Sequence, residues 1–153
     1  MKLRILWLGK TKNSNLATVC GDFAARANHF VGTEITELKE LRIKEEKKRV
    51  ELEGERLLSA IDSSAFVVAL DPLGRAYTSD EFAGFLGKHM TENPRDLVFV
   101  VGGHAGLSDS VKKRANLLWS LSALTYSHDL ARTVLLEQIY RALTIIRNLP
   151  YAR

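Results

Sequence analysis

Leu97-Val98-Phe99-Val100-Val101 is an unbroken apolar run that ends in Gly102-Gly103-His104-Ala105-Gly106. A continuous apolar run of this length predicts a strand covered on both faces, as in a parallel sheet. The glycines that follow predict a turn where a ligand can approach the backbone closely. Beyond them, Leu121-Ser122-Ala123-Leu124-Thr125-Tyr126-Ser127-His128 reads as a polar loop, and Asp129 to Arg147 as an amphipathic helix. A strand ending in glycines, a loop able to close over it and a charged helix beside both are the layout of a small-molecule pocket.

Working outward, strand-like and helix-like periodicities alternate along the whole chain. Lys2–Leu8 predicts a strand, and 14–30 a helix with Leu16, Val19, Phe23, Ala27 and Phe30 on one face. Thr33–Leu38 alternates as a half-exposed strand does. Residues 44–61 predict a charged helix with a thin apolar edge of Val50, Leu57, Leu58 and Ile61. Ala65 to Leu70 is a second covered strand, after which Asp71-Pro72-Leu73-Gly74 is expected to turn the chain. Thr78-Ser79-Asp80-Glu81 has the spacing of a capping box, so a helix runs from there to Asn93-Pro94. Ser108 or Asp109 caps a short helix through Ala115, and 117–121 predicts one more strand. In the last helix Leu135, Ile139, Ala142, Leu143 and Ile146 share one side, with Glu137, Arg141 and Thr144 on another. Alternating β and α predicts an α/β fold, a mostly parallel sheet flanked by helices, with one domain spanning residues 1–153.

Composition narrows the class further. Of 153 residues, 46% are hydrophobic and 26% charged, and no apolar run reaches the roughly 20 residues of a membrane helix. Met1 to Gly9 lacks the length and cleavage site of a signal peptide and reads as a first core strand. Cys20 is the only cysteine, which excludes an internal disulfide and a cysteine-based zinc site and fits a reducing cytoplasm. The net charge of +4 is unevenly placed: residues 1–99 hold 15 Lys and Arg against 15 Asp and Glu, residues 100–153 hold 7 against 3. That asymmetry suits an anionic partner such as RNA, or a simply solvated surface.

Two nucleotide motifs are absent. Gly9-Lys10-Thr11 imitates the end of a P-loop, but Arg4 occupies the position of its first glycine, and no G-x-G-x-x-G follows the first strand. The pocket is expected where open α/β sheets bind, at the carboxyl ends of strands, from the loops Leu70-Asp71-Pro72, Gly102–Gly106 and Ser122–His128.

Taken together, Gly102-Gly103-x-x-Gly106-Leu107, Leu121-Ser122-x-Leu124-Thr125-x-x-His128, Arg132, Glu137-Gln138-x-Tyr140-Arg141-Ala142 and Pro150-Tyr151 closely resemble the RNA large-subunit methyltransferase H family of the SPOUT class, over essentially the full chain. The resemblance implies a C-terminal trefoil knot and S-adenosylmethionine-dependent methylation of N3 of a pseudouridine in large-subunit ribosomal RNA. It further implies action on the assembled ribosome by a homodimer in the cytoplasm, without membrane or metal. Cofactor contacts would come from Leu70, Gly102, Gly103 and the backbone of Leu121, Ser122, Ala123, Leu124, Thr125 and Tyr126. Arg141, Glu137, Tyr151 and Arg153 would hold RNA and ease loss of the N3 proton. Glu137 and Arg141, four apart, are equally a plain helix-surface ion pair.

The chain also departs from that family. The usual Pro-Tyr-His ending is Pro150-Tyr151-Ala152-Arg153, and Arg153 can hold a phosphate but cannot act as a base. His104-Ala105 replaces a small residue or proline and a polar one, and Ser127 stands where proline is common. His104 reads as tolerated by its loop, and His128 as either a helix cap or an orienting group for the cofactor loop. His29 and His89 read as helix-surface residues. Trp119 is either a base-stacking platform or, as its apolar neighbours favour, a core ring. Lys112-Lys113-Arg114 is either a phosphate anchor or solvated surface. An RNA- or ribosome-binding module that kept the fold but lost its chemistry, and an enzyme acting on another RNA, are the alternatives.

Overall fold

The sequence pattern resolves, in a computed structural model describing residues 1–152, into one parallel sheet. Its strands are β1 (Leu3–Leu8), β2 (Thr33–Leu38), β3 (Phe66–Ala76), β4 (Leu97–Val101) and β5 (Leu117–Ser120), in the order β2-β1-β4-β3-β5. Parallel neighbours need a crossover outside the sheet. Helices α1 (Ser14–Asn28), α2 (Glu46–Ser59), α3 (Ser79–Glu92) and α4 (Asp109–Arg114) follow the first four strands. After β5 come α5 (His128–Ile146) and a short 3₁₀ turn, Pro150–Ala152.

Side chains alternate between the two faces of a strand, and each face has its own core. Leu3, Ile5, Trp7, Val68, Leu97, Phe99, Val101 and Trp119 pack against Cys20 and Ala27 of α1, Phe82 and Leu86 of α3, and Leu135, Ile139 and Leu143 of α5. Leu6, Leu8, Val67, Ala69, Val98 and Val100 face the other way, toward Leu57 of α2 and Val111 of α4. All five residues of β4 are buried, as its continuous apolar run requires. Each large apolar side chain withdrawn from water contributes roughly 1.5–3 kcal/mol. Surface pairs such as Arg26–Asp22, at about 0–1 kcal/mol each, are minor beside that.

Several local expectations hold and several are corrected. Thr78 and Glu81 form the reciprocal capping box of α3, and Ser108 caps α4. In α1 Cys20 and Ala27 are the buried residues, with Phe23 and Phe30 packed against the same core as expected, while Val19 stays exposed and Cys20 takes its place on the stripe. In α5 Thr144 does not join Glu137 and Arg141. It is fully buried, and its hydroxyl donates to the Arg141 carbonyl at 2.7 Å, which lets a polar residue face the core. His89 is not on the surface: it is 5% exposed, its Nε2 lies 3.0 Å from the Arg95 carbonyl and its ring packs edge-on against Phe66.

Asp71-Pro72-Leu73-Gly74 does not end its strand. β3 pairs with β5 through Leu70, bulges, and resumes pairing at Arg75, so that Leu70 and Arg75 both oppose Trp119. Gly74 permits the bulge to lie flat, since a Cβ there would stand 2.5 Å from the carbonyl carbon of Leu118. Asp71 tightens it: one carboxylate oxygen accepts from Leu73 N at 2.8 Å and the other meets Lys112 Nζ at 2.9 Å.

Candidate active site

Since β4, β3 and β5 are adjacent in the sheet, the loops leaving their carboxyl ends converge. They enclose a cavity of about 370 Å³. Leu70, Gly102, Gly103, Leu121, Ser122, Ala123, Leu124, Thr125 and Tyr126, the nine residues assigned to a cofactor from the sequence, all line it. Asp71, Pro72, Val101, His104, Gly106, Trp119, Ser120, His128 and Ala131 complete the wall. Sequence reasoning had placed Asp71, Pro72, His104, Gly106 and His128 in the pocket loops but left out Val101, Trp119, Ser120 and Ala131, because the strand order that makes β5 a neighbour of β3 cannot be read from local periodicity.

Short-range bonds give these loops their shape. Gly106, at φ +81°, closes a turn in which its N–H donates to the Gly103 carbonyl at 3.0 Å. Ser122 Oγ accepts from Leu124 N at 2.9 Å while its carbonyl accepts from Ser120 Oγ at 3.1 Å. Ser127, and not His128, caps α5 by accepting from Leu130 N, so His128 is free to face the cavity. Its ring meets that of His104 edge-on, with centroids 5.8 Å apart. Trp119 is 3% exposed and stacks on Phe82 at 4.2 Å, so it is a core ring whose edge also walls the cavity rather than a platform for a base.

Among the described residues no lysine or arginine lines this cavity, and the one carboxylate in its wall is that of Asp71. Burial pushes the Asp71 carboxyl upward, but the Lys112 ammonium and the Leu73 N–H outweigh it and hold the group below its ordinary value. Burial pushes His128 downward, and Arg132 and His104 push it the same way. His128 is therefore neutral at neutral pH. Of the basic triplet, Lys112 is paired with Asp71 and Arg114 donates to the carbonyls of Asp62, Ser63 and Ala65, leaving Lys113 exposed. The triplet is largely structural.

A second cavity, of about 240 Å³, meets the first at Gly103, His104 and His128 and is bordered by Lys10, Lys12, Glu40, Arg49, Glu53, Asp129 and Arg132. Arg132 is 4% exposed; it donates to the carbonyls of Leu8 and Gly9 and to Thr11 Oγ1, and its guanidinium stands 4.7 Å from the centroid of the Trp7 ring. Those contacts tie the end of β1 to α5. They also show Gly9-Lys10-Thr11 to be no phosphate cradle, because the Gly9 amide donates to Leu38 and its carbonyl accepts from Arg132. Among the described residues no group of His, Cys, Asp and Glu side chains is arranged to hold a metal ion.

Glu137, Arg141 and Tyr151 do come together, but elsewhere. Glu137 Oε1 accepts from Arg141 Nε at 3.0 Å, Arg141 Nη2 at 2.7 Å and the Tyr151 hydroxyl at 3.0 Å, while Oε2 accepts from Gln138 at 2.8 Å. Hydrogen bonding to Glu137 raises the already basic Arg141, and burial together with Glu137 raises Tyr151. None of the three lines the first cavity. Glu137 lies nine residues beyond His128 along α5, about 13 Å of helix rise. Arg153 lies outside the described residues.

A parallel sheet of this order with a cleft at the carboxyl ends of its last three strands fits a SPOUT-class methyltransferase, and the family profile described as "Predicted SPOUT methyltransferase" matches residues 1–152. Within that class the chain belongs to the ribosomal RNA large subunit methyltransferase H family. The protein of that name from Trichlorobacter lovleyi is 43% identical over 154 residues, covering 99% of both chains. Its counterpart from Syntrophotalea carbinolica is 42% identical, covering 99% of this chain and 98% of the relative. Among solved structures, a "Probable Methyltransferase" from Bordetella pertussis shares the fold with a TM-score of 0.58 at 16% identity, covering 93% of this chain and 96% of that one.

Proposed function

We propose that this protein transfers a methyl group from S-adenosylmethionine to N3 of a pseudouridine in large-subunit ribosomal RNA, acting on the assembled ribosome in the cytoplasm as a homodimer with the trefoil threading of its family. The observation that carries the reading is the convergence of Leu70, Gly102, Gly103 and Leu121–Tyr126 on one cavity. Its wall suits the cofactor's chemistry. Leu70, Val101, Trp119 and Leu121 offer apolar surface for an adenine ring, and the backbone of 121–126 offers amides and carbonyls for its edge. Gly102 and Gly103 leave room for the methionine arm, and the absence of Lys and Arg from the wall spares a sulfonium like-charge repulsion. When bound, the group supplies an electrophilic methyl, and alignment with a nitrogen lone pair accounts for much of the rate.

The chain's own residues supply the rest. Arg141 stabilises negative charge on the base's carbonyl oxygens as the imide proton leaves, Glu137 Oε1 fixes one edge of the guanidinium by accepting from both Nε and Nη2, and the Tyr151 hydroxyl donates to the same oxygen. Arg153 contributes a phosphate contact. Because the Glu137 cluster stands apart from the cavity of its own chain, a second copy that presents its cluster at that cavity completes the site, which is why the dimer belongs to the proposal.

Calorimetry with S-adenosylmethionine, followed by methyl transfer to ribosomes from a strain lacking the modification, tests the reading. One equivalent bound per chain and one methyl added per ribosome are expected. Binding without transfer favours the RNA- or ribosome-binding module, a reading supported by Ala152 where the family has histidine. Transfer to free transfer RNA but not to ribosomes favours a different RNA substrate.

A further inference from the structure

Methylation of an imide nitrogen releases a proton, and the Glu137 cluster holds no suitable acceptor for it. Both Glu137 oxygens already accept hydrogen bonds, from Arg141, Tyr151 and Gln138. Arg141 stays protonated, and Tyr151, raised by burial and by Glu137, remains a phenol at neutral pH. Around the cofactor cavity the Asp71 carboxylate is paired with Lys112 and is a weak base. Tyr126 brings a phenol. The remaining ionisable side chains of the wall are His104 and His128, the residue type whose proton exchange falls in the physiological range. They sit where the two cavities meet, with ring centroids 5.8 Å apart, and neither ring hydrogen-bonds to another of the described residues.

We propose that the imidazole pair His104 and His128 is the proton acceptor of the reaction, an inference that rests on the methyl-transfer reading above. The target nitrogen forms a bond to the methyl carbon, the carbon–sulfur bond breaks with its electron pair going to sulfur, and the N–H proton passes to an imidazole nitrogen and then to solvent. The surroundings of His128 oppose its protonation beforehand. Burial, Arg132, His104 and Lys12 all oppose a charge on His128; Asp129 favours one, but its carboxylate accepts from the backbone N–H groups of Lys12 and Asn13. Lys10, Glu40, Arg49 and Glu53 border the second cavity beyond it. Imidazole here serves a chain whose residue 152 is alanine.

The test compares wild type with the double variant His104→Gln/His128→Gln on ribosomes lacking the modification. Loss of general-base catalysis is expected to lower kcat by about 100-fold or more. The fall in wild-type kcat on acidification should vanish in the variant, with kcat read at saturating S-adenosylmethionine. A loss of kcat below about tenfold, or an acid limb that survives, overturns the proposal. Should the double variant fold poorly, an NMR titration of the histidine Cε1 protons in wild-type protein reads the same claim without activity. Both rings neutral at about pH 7.5 support it, and either one protonated overturns it. A wild-type protein that binds no S-adenosylmethionine or modifies no ribosome defeats the function itself and is thereby distinguished from a failure of the histidine pair alone.

Discussion

Asp71 shows how one side chain joins stability to the site. It is 7% exposed, anchors the β3 bulge to Leu73, and reaches Lys112 on α4, while its own edge forms part of the cavity wall. Replacing it by asparagine leaves a half-exposed ammonium without its carboxylate, a change expected to cost about 1–2 kcal/mol in urea denaturation at neutral pH. The folded carboxyl titrates below its unfolded value, so its contribution is complete above the unfolded pKa, near 4, and fades as pH falls through the lower folded one. Below about pH 4, then, the gap between wild type and Asp71→Asn should narrow. A gap independent of pH in denaturation curves would count against the ion pair. Asp71 was legible in the sequence only as part of a loop at a strand end; its partner Lys112, 41 positions later, was not, because nothing local announces a long-range pair.

Elements impose their own constraints. The capping box of α3 satisfies two orphan amides at once, with Thr78 Oγ1 accepting from Glu81 N and Glu81 accepting from Thr78 N. Thr78→Ala should therefore destabilise the protein by about 1 kcal/mol in thermal melts without altering cofactor affinity. Gly74→Val should instead be felt at the cavity. Its new Cβ would press on the Leu118 backbone at the β5 edge, displacing the strand that leads into 121–126, so calorimetry should show S-adenosylmethionine affinity lowered tenfold or more. Helix ends and the buried character of β4 were readable because caps and periodicity are local signals. The bulge was not: Asp-Pro-Leu-Gly is the composition of a turn, and only pairing with β5 on both sides of it keeps it within a strand. His89 was misread for the same reason, since a histidine beside Lys88 on a helix looks exposed until Phe66 and the Arg95 carbonyl are found beside it.

At the scale of the molecule, the first cavity and the Glu137 cluster occupy different places in one chain, and the proposed dimer brings them together. Arg141→Ala should lower kcat by about 100-fold while leaving S-adenosylmethionine affinity unchanged, as expected of a group that stabilises transition-state charge. The dimer makes a further demand. Mixing Arg141→Ala with Gly74→Val, each poorly active alone, should restore activity through hybrid dimers that hold one intact cavity facing one intact cluster. If mixed subunits are shown to exchange and no activity returns, each chain must complete its own site.

By itself the sequence determined the alternation of strands and helices, the parallel and largely buried sheet, the positions of caps and the identity of the loops that line the first cavity, because each depends on contacts within a few residues. Its joint pattern from Gly102 to Tyr151 also settled the family. Only the tertiary structure decided that β3 separates β4 from β5, that His104 and His128 face one another, that Lys112 answers Asp71, and that Glu137, Arg141 and Tyr151 stand away from the cavity. Those are distances between residues far apart in the chain, set by how two cores pack on opposite faces of one sheet, and no local spacing encodes them.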